Sequence, residues 1–119
     1  MTTIDEVTKH YLECAIWAST DEDGEPFDAA FGIEDFSEEA LAIAANDCAH
    51  FMADNEAALT ESGLSQDQIG HDFWLTRNRH GAGFWDRGLD EVGRKLTDAA
   101  HVWGEVYVYM GDDGKLHMA

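Results

Sequence analysis

The sequence predicts an α+β fold, mostly helical, with about four helices and a C-terminal antiparallel β-hairpin. Three observations carry that expectation. Apolar residues recur at helical spacing in well-bounded stretches. Thr3 with Glu6, and Ser65 with Gln68, have the three-residue spacing of a capping box. The last stretch changes to alternation around Gly-Asp-Asp-Gly, the pattern of a hairpin. The 119 residues make one domain, 1–119, with a highly acidic helical part (1–70) and a near-neutral part (71–119) holding a helix and the hairpin.

The first helix is expected over 4–18, opened by the Thr3 and Glu6 box. Ile4, Val7, Tyr11, Cys14 with Ala15, and Ala18 form its apolar stripe. Residues 19–36 contain the single proline, Pro26, and read as an acidic loop. The second helix is expected over 38–61. Ser37 is its N-cap, Phe36 and Leu41 are its hydrophobic staple, and Glu38 and Glu39 lie at the positive end of its dipole. Leu41, Ala44 with Ala45, Cys48, Phe51 with Met52, Asn55 and Leu59 form its inner stripe. Asp47, Asp54 and Glu61 fall on an outer line, about 10 Å apart at 1.5 Å per residue. Gly63 is placed to end the helix.

A short third helix over 66–78 follows from the Ser65 and Gln68 box and a Leu64 and Ile69 staple. Its rival is a hairpin with FWLT and GFWD as strands around RNRHGA. The fourth helix, 89–102, has Leu89, Val92, Leu96, Ala99 with Ala100, and Trp103 on its stripe, and Gly104 as its stop. Val106, Val108 and Met110 then alternate with Glu105, Tyr107 and Tyr109, and Asp113-Gly114 marks the turn. A two-stranded hairpin is marginal alone, so it must pack on helices, gain a strand or meet a second copy.

Seven Lys and Arg face 25 Asp and Glu, a net charge of −18. The charge is segregated: residues 1–70 hold 17 acids and one base, Lys9, whereas residues 71–119 hold 8 acids and 6 bases. This excludes direct binding of nucleic acid through a broad basic face and argues against docking on anionic membranes. No run of about 18 apolar residues and no basic-then-apolar opening occurs, so a soluble, cytoplasmic protein is expected. Hydrophobic residues at 45% are too abundant for a disordered acidic tail. Cys14 and Cys48 lie far apart on apolar stripes and read as buried reduced thiols rather than a disulfide or metal pair.

Residues 70–88, GHDFWLTRNRHGAGFWDRG, concentrate unusual chemistry, including two of the four tryptophans. Four readings compete for it. His71, Asp72, His80 and Asp86 are suitable metal ligands without an established ligand spacing. His71 or His80 could serve as general base with Arg77 or Arg87 holding an anion, without any nucleophile or phosphate-loop signature. Trp74, Arg77, Trp85 and Arg87 are types that dominate protein interfaces. Last, a polar network of Arg77 and Arg87 with Asp72 and Asp86 would lock an irregular loop over the core. GDDGK lacks the later ligands of a calcium loop, and Trp103, Tyr107 and Tyr109 lack the basic groove needed to stack on bases.

The run HDFWLTRNRHGAGFWDRG, followed by a helix and a GDDGK hairpin, resembles a family of small acidic proteins encoded by phages, prophages and mobile elements. The resemblance is strong over 70–88 and weak over most of the chain. It implies an accessory phage protein acting in the cytoplasm of a bacterial host, and carries no catalytic residues with it.

The functional expectation is an interaction protein rather than an enzyme: a nucleic-acid mimic that binds a host protein with a basic surface and inhibits a nucleic-acid-processing or defence enzyme. Duplex DNA carries one negative charge per about 1.7 Å of axis, and the acidic helix and loop can present a comparable array. The expected partner-binding residues are Asp21, Glu22, Asp23, Glu25, Asp28, Glu34, Asp35, Glu38, Glu39, Asp47, Asp54, Glu61, Trp74, Arg77, Trp85 and Arg87. No catalytic residue, metal or cofactor is expected, and a homodimer is compatible with the sequence. The alternatives are a small metal- or His-dependent hydrolase or nuclease using 71–87, and a structural or dimeric module with a halophile-like acidic surface.

Overall fold

A computed structural model describes residues 4–21, 23–80 and 83–119. Among them run five α-helices and one hairpin: Glu6–Ala18 (α1), Glu38–Asp54 (α2), Glu56–Ser62 (α3), Gln66–Arg77 (α4), Glu91–Val102 (α5), Val108–Met110 (β1) and Leu116–Met118 (β2). Short 3-10 turns at Phe27–Ala29, Ile33–Asp35 and Phe84–Arg87 shape the connections.

Local signals place most helix ends. Ser37 Oγ accepts from Ala40 N at 3.1 Å at the start of α2. The Ser65 and Gln68 capping box forms in both directions, which settles 66–77 as helix rather than hairpin. Gly63 and Gly104 take the left-handed conformation that closes a helix, at φ +69° and +74°. At α1 the cap is Asp5, whose Oδ1 accepts from Thr8 N at 2.8 Å; Thr3 lies outside the described residues.

The helix expected over 38–61 is two helices, which makes five rather than four. Asn55 breaks it at φ −123°, ψ 22°. Its Nδ2 donates to Phe51 O at 2.8 Å and its backbone N donates to the same oxygen at 3.1 Å. A side-chain amide that bonds its own backbone offers the chain a competitor to the helical ladder. The last helix begins at Glu91 rather than 89, after Asp90 at φ +54°.

The hairpin is antiparallel, in register Val108 to Met118, Tyr109 to His117 and Met110 to Leu116. Val106 and Val108 are buried while Tyr107 and Tyr109 are exposed, as alternation requires; Met110 departs from it at 39% exposure. The hairpin packs on helices through β2. Phe36 bridges Leu116 in parallel, and Ser37 N donates to Leu116 O at 2.9 Å.

α1 and α4 form the most extensive helix pair. They pass close together at Gly70, where a Cβ would collide with the Val7 carbonyl oxygen and lie 2.8 Å from Tyr11 N. A run of aromatic rings fills the core: Phe84 to Phe51 at 5.7 Å, Phe51 stacked on Phe73 at 4.1 Å, and Tyr11 touching both Phe73 and Trp74 at 5.3 Å. Cys14 and Cys48 are free and buried, and burial pushes both thiols up to about 12.

Candidate functional site

Much of the chemistry of 70–88 is turned inward. Asp72 is fully buried and accepts a bidentate pair from Arg87, Nε at 2.8 Å and Nη2 at 2.7 Å. That hydrogen-bonded pairing raises the Arg87 pKa above its ordinary value. Arg77 is also buried, but its partner is Asp47 rather than Asp72 or Asp86. Nη1 donates to Asp47 Oδ2 at 2.9 Å and to the Tyr11 hydroxyl at 3.0 Å. Nε and Nη2 donate to the Gly104 and Trp103 carbonyls at 2.9 and 3.1 Å, where α5 ends. The guanidinium also lies over the Phe73 and Trp103 rings at 5.6 and 5.7 Å. One side chain thereby joins α1, α2, α4 and the end of α5.

Gly83, at φ +139°, passes so close to Thr76 that a Cβ there would meet its hydroxyl, and Phe84 N donates to that hydroxyl at 3.2 Å. Trp74 is 1% exposed and belongs to the core, whereas Trp85 is 56% exposed. Of the four interface-type residues predicted here, Trp74 and Arg77 are therefore inside. Trp85 is on the surface and Arg87 is partly exposed, in service of Asp72. His71 and His80 border different clefts, so with Asp72 and Arg77 committed to ion pairs the enzyme set does not converge. Among the described residues, no group of three His, Cys, Asp or Glu is arranged to hold a metal.

The acidic residues separate into two populations. Asp21, Asp23, Glu25, Asp28, Glu34, Glu38, Glu39, Asp54 and Glu61 are exposed. Asp21 also organises its own loop, accepting from Asp23 N and Glu25 N at 2.9 and 3.0 Å. Asp35 is half-buried and accepts from Gly32 N at 2.8 Å. Glu22 lies outside the described residues. The outer line of Asp47, Asp54 and Glu61 does not hold. Asp47 turns inward because Arg77 needs a counter-charge away from water, and the break at Asn55 moves Glu61 onto α3. Asp54 and Glu61 border one shallow depression, with Lys95 at its rim.

A groove of about 610 Å³ lies on the acidic side, beside α1. Its apolar lining includes Cys14, Ile16, Phe31 and Ile33; its polar lining is Glu13, Asp28, Glu34, His10 and His71. Trp17 stands in it, 59% exposed, with the His71 ring 5.7 Å away at a tilt of 34°. His10 sits between Glu6 and Glu13, at 3.4 and 3.7 Å. Glu34 folds its carboxylate over Gly32, where a Cβ would come within 2.5 Å of it. Sequence reasoning missed Trp17, His10, Glu13 and Phe31. The signal was present: His10, Glu13 and Trp17 are spaced three and four apart, so they share one flank of α1, off its apolar stripe.

No protein-family model, curated protein or solved structure matches the chain. No helix among the described residues is long and apolar enough to cross a membrane.

Proposed function

We propose that this is a small acidic accessory protein of phage type, whose N-terminal face occupies the basic site of a host nucleic-acid-processing or defence enzyme and inhibits it. The observation that carries the reading is the segregation of charge onto solvent-exposed carboxylates. Residues 1–70 contain one base, and the arginine that reaches into them, Arg77, is spent inside on Asp47. The exposed carboxylates of Asp23, Glu25, Asp28, Glu34 and Glu39, with Asp54 and Glu61, face solvent, where a cationic partner can reach them. Such a surface costs self-repulsion in the free protein, and a basic partner relieves it. Salt-sensitive association follows, because exposed charges are screened within about 8 to 10 Å at physiological ionic strength.

The test is affinity capture from bacterial lysate at low salt, salt-gradient elution and competition with duplex DNA. The expected result is one nucleic-acid enzyme, released by salt, displaced by DNA and inhibited by the purified protein. Replacing Asp23, Asp54 and Glu61 by Lys should abolish capture without unfolding the chain. Unchanged capture by that variant, or a partner indifferent to salt and DNA, refutes the reading.

A further inference from the structure

The geometry points to a specific anchor within that face: the Trp17 groove takes the side chain of an arginine from the partner. The inference rests on the proposal that the partner is basic, and adds where and how its side chain is gripped. The groove has the two halves that an arginine side chain needs. Ile16, Phe31 and Ile33 offer an apolar wall for the methylene stem. Asp28 and Glu34 offer carboxylates to the guanidinium, as does Glu13 beside His10, and no Lys or Arg is among the described residues that line the groove.

The second half of the argument is the indole. A tryptophan 59% exposed leaves a large apolar ring in water, and its one aromatic neighbour among the described residues, His71, backs it without covering it. A guanidinium stacks on an indole face and forks to carboxylates at once; a lysine ammonium is a compact, strongly hydrated point charge and does this less well. A volume of about 610 Å³ exceeds one side chain, leaving room for the backbone and neighbours of the residue that carries it. Glu34, whose carboxylate lies over Gly32, borders the same groove.

The full chain is titrated with capped octa-arginine and octa-lysine at low salt, by calorimetry. Octa-arginine should bind about fivefold tighter than octa-lysine, the worth of one partly exposed cation–π contact of about 1 kcal/mol. Trp17→Leu keeps apolar bulk and lacks the ring face; it should remove that preference and leave octa-lysine binding unchanged. Trp17→Phe should retain part of it. Asp54→Lys with Glu61→Lys should weaken both peptides equally and keep the preference. An arginine preference that survives in Trp17→Leu, or is absent from the wild-type chain, overturns the groove and leaves the acidic face standing. If neither peptide binds at low salt, the acidic-face reading fails as well.

Discussion

Asp72 and Asp54 are the same residue type under opposite rules. Asp72 is fully buried and held by two charge-assisted bonds from Arg87; Asp54 is exposed on α2, at a depression it shares with Glu61 and Lys95. Inside the fold a carboxylate is retained only with a cation, because desolvating one unpaired charge costs several kcal/mol. On the surface each carboxylate is cheap, and the cost is collective, through mutual repulsion. The difference explains how a chain of net charge −18 keeps an ordinary aromatic core. The two arginines nearest the core are committed to Asp47 and Asp72.

The sharpest way to break this contrast is Arg87→Met, which strands Asp72 in the interior. It should lower stability by about 3–5 kcal/mol in urea denaturation. A loss below 1 kcal/mol would mean that the pair is not what holds the segment. Asp47→Ala should cost about 2–3 kcal/mol, since Arg77 keeps Tyr11 and two carbonyls but loses its counter-charge. Asp54→Ala is its control and should stay within about 0.5 kcal/mol.

The interior's intolerance of charge extends to the thiols. Cys14 and Cys48 ionise at an ordinary value of 9.0 when unfolded and at about 12 when folded. Between those limits the unfolded chain holds fewer protons than the folded one, so stability falls as pH rises from 9 and is fully present below it. The slope is about 1.4 kcal/mol per pH unit for each thiol. Replacing both by Ala should flatten the alkaline limb measured by thermal unfolding. The smallest effect belongs to the surface. Asp54→Lys with Glu61→Lys should raise stability by a few tenths of a kcal/mol at low salt, by relieving repulsion, and by nothing in high salt. A gain that persists in high salt would mean that packing, not charge, was changed.

Ser37, Ser65, Gly63 and Gly104 made the helix ends legible in the sequence, and the stripes identified Tyr11, Cys48, Phe51 and Leu96 as core. These signals are local: a cap bonds an amide three residues away, and a stripe follows from 3.6 residues per turn. Asn55 shows the limit. Its side chain sits on an apolar stripe, and nothing in the spacing says that its amide will bond Phe51 O and end α2.

The charged pairs lie beyond that limit. Composition determined that the N-terminal part is acidic and that 70–88 is dense in aromatic and basic groups. It could not say that Arg77 would meet Asp47, 30 residues away, or that Trp74 would be buried while Trp85 stays in water. Nor could it say that Trp17 and His71, from α1 and α4, would share a groove. Local propensity acts within a helical turn, whereas an ion pair or a ring contact between distant residues exists only once packing has brought two elements together and removed the water between them. The tertiary structure alone decided which charges are buried in ion pairs and which face solvent.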